Sequence, residues 1–167
     1  MNYEALIFDL DDTLIDTSRI LIPIADSPSY ADKIRGQIPL FQGARENLMI
    51  LSQKYQLYLL TQGNPEIQKQ KIKSAKISQF FKETVIIDSH LGESKEKFFK
   101  NFSAKHSGKF LSIGNRIDTD LLPAKKFGGD TCLFCYGEHS DQITKLEGPA
   151  PDYVIYSHDE LITKVGL

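Results

Sequence analysis

The sequence predicts an α/β fold with three layers: a mostly parallel central sheet covered by helices on both faces. Three observations predict it. Six short apolar runs recur along the 167 residues, and a stretch with helical spacing or helix-end signals follows most of them. The polar residues that break the apolar pattern stand just after the runs. Continuous apolar runs suit strands buried on both faces. Strand–helix alternation implies a parallel sheet with right-handed crossovers. In such sheets, ligands bind beyond the C-terminal ends of the strands.

Taken in order, the strand runs are EALIFDL (4–10), QLYLLTQG (56–63), ETVIID (83–88), KFLSIGN (109–115), GDTCLFCY (129–136) and DYVIYS (152–157). Residues 44–55 place Leu48, Leu51 and Tyr55 at helical spacing. The helix expected over 65–77 opens with Pro65, whose fixed φ suits a first turn. Ser94 is a natural N-cap for a helix over 94–106. DTDLLPAKKFGG ends in Gly128 and Gly129, a helix stop signal, and HDELITKVGL closes the chain. Residues 137–151 read as a polar loop with room for one helical turn, and 15–42 as the least regular segment, broken by Pro23, Pro28, Gly36 and Pro39. There is no internal repeat and no low-complexity tract.

Composition narrows the function classes. A chain of this length reads as one domain, 1–167, able to bury roughly 70% of its unfolded surface without disulfide or structural metal. A formal net charge of −2 gives no broad attraction to nucleic acid or anionic membrane. No apolar run reaches membrane-spanning length, and the N-terminus enters a strand without a basic leader, so no signal peptide is expected. With two cysteines, a reducing, cytoplasmic setting is the simplest reading. CLFC (132–135) spells CxxC, but inside an apolar run it is read as strand cysteines facing opposite sides.

The chemistry gathers at the run ends. Asp9, Asp11 and Asp12 crowd three carboxylates into four residues after a buried strand. Like charges so close resist ionising together, so a bound cation or a shared chemical task is expected there. Asp9 and Asp11 are two apart, which on an extended backbone turns both to one side. Thr61 ends the second run, Gly114 and Asn115 end the fourth, and Asp118 and Asp120 follow. Lys95 and Lys97 open the helix after the third.

FDLDDTLI, LYLLTQGN and FLSIGNRIDTDLLPAKKFG together resemble the DxDxT phosphatase branch of the haloacid dehalogenase superfamily, with motif order and spacing agreeing over essentially the whole chain. The resemblance implies a Rossmann-like core and a Mg²⁺-dependent phosphatase acting through an aspartyl phosphate. It assigns nucleophilic attack to Asp9 and proton transfer to Asp11. It gives Thr61, Gln62 and Gly63 to the phosphate and a third-motif lysine to phosphate and nucleophile. Lys95 is the first choice for that lysine, Lys97 the second. The metal set it implies is Asp9, the main chain of Asp11, Asn115 and Asp120. Two neighbouring carboxyls of this kind can split their pKa values, one ionised and one protonated.

Two features depart from the family pattern. Asn115 stands where most members carry Asp, bringing an oxygen ligand without charge, so Asp120 or Asp118 would carry more of the metal. The 28 residues of segment 15–42 are too few for a cap domain. The sequence therefore reads as capless, with that segment as a small flap or homo-oligomer contact. Asp12 is read as a turn or helix-start residue, and Thr13 as orienting the loop or bonding Asp11. The substrate expected is a phosphorylated small molecule or a phosphate on a larger one. A catalytically weak binding protein of the same fold is the alternative. Dehalogenation is disfavoured because Asp11 supplies a proton-shuttling carboxyl that dehalogenases lack. A response-regulator receiver is disfavoured because there the phosphorylated Asp ends a later strand.

Overall fold

The computed structural model describes residues 3–145 and 148–167. Its strands are β1 (Ala5–Phe8), β2 (Gln56–Gly63), β3 (Glu83–Asp88), β4 (Phe110–Gly114), β5 (Asp130–Phe134) and β6 (Tyr153–Ile155). Its helices are α1 (Thr17–Ile20), α2 (Ser29–Arg35), α3 (Ala44–Leu51), α4 (Pro65–Ala75), α5 (Lys95–Lys105), α6 (Leu122–Lys126) and α7 (Asp159–Val165). One six-stranded sheet runs in the order β3-β2-β1-β4-β5-β6, and every pairing in it is parallel. Each strand lies inside one of the six apolar runs.

The two faces follow from the period-2 alternation of each strand. Leu6 and Phe8 of β1, with Leu57 and Leu59 of β2, pack in a core shared with Leu48 and Leu51 of α3, Ile72 and Ala75 of α4, and Leu161 of α7. Ala5, Ile7, Tyr58 and Leu60 face the other way, onto Phe99 and Phe102 of α5 and Ala124 of α6. Burial on both faces is why these strands read as unbroken apolar runs. Phe99 is fully buried and its ring stacks 6.0 Å from that of Phe110.

Helix ends depart from the sequence expectation for local reasons. The helix expected over 44–55 stops at Leu51 and leaves in turns, with Tyr55 N still bonded to Leu51 O. Before α6, Ile117–Leu121 forms a π turn, a widening that often marks a functional position. Pro123, which lacks an N–H, sits in the first turn of α6, where none is needed. Segment 15–42 holds α1, a 3₁₀ turn at Ile22–Ile24, and α2, and no cap domain. Its ends are stapled together, with Ile15 bridging Leu40 and Phe41 N donating to Leu14 O at 2.9 Å. Gly137–Lys145 is 3₁₀ helix, longer than the single helical turn read into that loop; residues 146 and 147 lie outside the described residues. Cys132 is buried in β5, whereas Cys135 lies just beyond the strand and is half-buried; both are free thiols. Among the described residues, no helix is long and apolar enough to cross a membrane.

Candidate active site

The strand order reverses between β1 and β4, and the crevice outside their C-terminal ends is where such sheets take ligands. A cavity of about 340 Å³ opens there. Asp9, Asp11, Gln62, Gly63, Lys95, Asn115 and Asp120 all line it, brought from the ends of three strands and the start of a helix. Asp9 follows β1 directly and is pinned by its N–H to Ile113 O at 2.9 Å. Asp12 turns the chain away with φ 53°, and its carboxylate accepts from Ser18 N at 2.8 Å. That is the turn role expected of it, although it also borders the cavity.

Lys95, the first residue of α5, is buried and lies 2.6 Å from Asp9 Oδ1 and 2.7 Å from Asp120 Oδ1. Asp120 reaches this position because Gly114 has no side chain. A Cβ on Gly114 would fall 2.6 Å from Asp120 Cβ and 2.4 Å from its Oδ2. The π turn then presents Asp120 Oδ2 to Arg116 N at 3.0 Å. Two buried carboxylates thus share one ammonium. Burial pushes the Asp9 carboxyl up to about 7, against the pull of Lys95 and with Asp120 and Asp11 adding to the push. Burial opposes the charge on Lys95 too, but Asp120 and Asp9 hold it above the usual lysine range.

Asp11 is held differently. Its Oδ1 accepts from Lys71 Nζ at 2.8 Å and from the Thr17 hydroxyl, and its Oδ2 from Gln68 Nε2 at 2.8 Å. Burial alone would raise this carboxyl, but Lys71, Gln68 and Thr17 outweigh it and hold Asp11 below the usual carboxylate range. Asp9 is pushed upward and Asp11 downward, the reverse of the split that an ionised nucleophile at Asp9 and a protonated acid at Asp11 call for.

Other candidates fall elsewhere. Thr61 is buried behind Gln62, its hydroxyl oxygen accepting from Gln68 Nε2 at 2.9 Å, and does not itself line the cavity. Lys97 borders a separate cavity of about 360 Å³ between β3 and α5. Asp118 pairs with Arg116 at 3.0 Å and points away from the acidic group. The expected Thr13–Asp11 bond is not made: Thr13 Oγ1 is buried with no described partner, and Thr17 bonds Asp11 instead. Thr13 serves through its carbonyl, which lies 2.7 Å from His158 Nε2. Among the described residues, no three His, Cys, Asp or Glu side chains form a metal-binding set. Asn115, which the resemblance put in that set, lines the cavity with an uncharged amide.

Sequence reasoning missed Gln68, Lys71 and Thr17. Gln68 and Lys71 were visible as polar residues on the inward face that Ile72 and Ala75 define, one turn apart at the start of α4. Thr17 stands six residues from Asp11 with no periodic signal. Gln68 Oε1 is buried without a described partner, a loss of about 1–3 kcal/mol, so the nitrogen end fixes the orientation of that amide.

This strand order, with an acidic cavity at its switch point, defines a doubly wound α/β core. Solved structures agree on the fold. The HAD-hydrolase YfnB from Bacillus subtilis, bound to magnesium, superposes with TM-score 0.74 at 18% identity, covering 100% of both chains. A haloacid dehalogenase-like hydrolase from Streptococcus pneumoniae gives 0.75 at 20% identity, covering 98% of this chain and 99% of that one. The sequence model of the NLI interacting factor-like phosphatases matches residues 4–118, and the chain belongs to that family. A glyceraldehyde 3-phosphate phosphatase from Pyrococcus furiosus is 32% identical over 127 residues, 72% of this chain and 52% of that protein. Its counterpart from Pyrococcus abyssi is 37% identical over 105 residues, 58% of this chain and 42% of that protein. The chain thus spans about half the length of these curated relatives.

Proposed function

We propose that the chain is a phosphatase core hydrolysing a phosphomonoester through an aspartyl phosphate on Asp9. The carrying observation is the buried Asp9–Lys95–Asp120 group beside Asp11 in one cavity. Asp9 attacks phosphorus, the bond to the leaving oxygen breaks, and that oxygen takes its proton from Asp11. Water then attacks the phosphorus of the acyl phosphate and gives a proton to Asp11, inorganic phosphate leaves, and Asp9 is regenerated. In the free protein the proton of the pair rests on Asp9, and it passes to Asp11 as Asp9 takes up the charged form that attacks phosphorus. Lys95 balances charge on the nucleophile and the transferred group, while Gln62 and Gly63 orient phosphoryl oxygens.

The residues fit a Mg²⁺ ion. The lining carries hard oxygens, as this ion prefers, and Asp9 and Asp120 share the one ammonium of Lys95 there. Asp9, the main-chain carbonyl of Asp11, Asn115 and Asp120 would hold it. When bound, the ion would offset charge on the transferring phosphoryl group.

The printed names of the Pyrococcus relatives make glyceraldehyde 3-phosphate the first substrate to test. Phosphate release from it and from an aryl phosphate is expected to need Mg²⁺ and to disappear in Asp9→Asn. Release that survives Asp9→Asn defeats the nucleophile assignment, and no release from any phosphoester favours a binding protein of the same fold.

A further inference from the structure

We infer that Lys71 and Gln68, one turn apart on α4, are positioning residues that hold Asp11 for proton transfer to the leaving group. The inference rests on the phosphatase reading above and adds to it a second helix dedicated to the acid. Both residues are buried, though both are of types that ordinarily stay in water. Neither is spent on packing. Lys71 Nζ lies 2.8 Å from Asp11 Oδ1, and Gln68 Nε2 lies 2.8 Å from Asp11 Oδ2, so the two grip opposite oxygens and fix the carboxylate plane.

Gln68 also reaches Thr61 Oγ1 at 2.9 Å and the Gln62 carbonyl at 3.1 Å. Its amide has two hydrogens for three acceptors. Gln68 Oε1 has no partner among the described residues, so this amide makes its bonds through Nε2. Lys71 itself borders the cavity next to Asp11.

A residue acting through the acid leaves a signature in leaving-group dependence. An aryl phosphate such as p-nitrophenyl phosphate expels a stable phenolate and needs little protonation; an alkyl phosphate such as glycerol 3-phosphate needs it fully. In saturating Mg²⁺, Lys71→Met is expected to lower kcat/KM on the alkyl ester by about 100-fold and on the aryl ester by less than about 10-fold. Lys71→Arg is expected to restore both to within about threefold, because it keeps the cation on Asp11. Gln68→Met should show the same asymmetry at smaller amplitude, and carries the test should Lys71→Met not fold by urea titration. Equal losses on the two esters, or a raised KM with kcat retained, overturn the inference while leaving the phosphatase reading intact. Absence of Mg²⁺-dependent turnover in the unmutated protein overturns both.

Discussion

At the scale of single residues, the site is a problem in charge. Asp9 and Asp120 are buried around one lysine, and removing that lysine leaves two unpaired carboxylates. Lys95→Met is therefore expected to destabilise by about 3–5 kcal/mol, measured by urea unfolding at neutral pH. Asp9 also makes stability depend on pH. Its folded pKa of about 7 lies above its ordinary value, so between these two the folded state binds more protons and stability falls as pH rises. Without added metal, Asp9→Asn is expected to gain stability over the parent progressively from about pH 4 to pH 7, with the gain level above. Mg²⁺ should shrink that gain, because a cation returns Asp9 to its ionised form. A gain that does not vary with pH contradicts the burial of this carboxyl. Gly114→Ala tests the close approach of Asp120: a Cβ 2.6 Å from the Asp120 Cβ must move it. A cost of about 1–3 kcal/mol is expected, with loss of Mg²⁺-dependent turnover in the same preparation.

Among the elements, α4 ties fold to chemistry. Asn64 caps its start, Oδ1 accepting from Glu66 N at 3.0 Å and Ile67 N at 3.2 Å. Arg45 of α3 closes its end, donating to Ala75 O at 2.7 Å and Lys76 O at 3.1 Å. Asn64→Ala is expected to cost about 1 kcal/mol by urea unfolding. It should also lower turnover, since the first turns carry Gln68. Legibility in the sequence differs element by element. The four inner strands could be read because burial on both faces leaves a continuous apolar signature, whereas the edge strands β3 and β6 are only partly buried. The residues after β1 and β4 could be read because they interrupt it. Gln68 and Lys71 were not, because a buried polar side chain on a helix looks like a solvated one until its acceptors are known, and these come from a loop more than fifty residues away. Thr17 rather than Thr13 reaches Asp11 because Asp12 reverses the chain with a positive φ, which periodicity does not disclose. The π turn was equally hidden, as it depends on where Asp120 must land.

For the whole molecule, the two cores on either side of the sheet carry the stability and the rim carries the chemistry. Phe99→Ala, in the core beneath α5, is expected to cost about 3–5 kcal/mol by urea unfolding. The staple joining Ile15 to Leu40 at the root of segment 15–42 has a separate consequence. Both strands of chain leave and re-enter the body at one point, so the intervening stretch is topologically a detachable appendage. Lengthening a tethered loop costs only about 0.6 kcal/mol per doubling. An independently folding module could be grafted at that root, hanging over the mouth of the cavity, without disturbing a single rung of the sheet below.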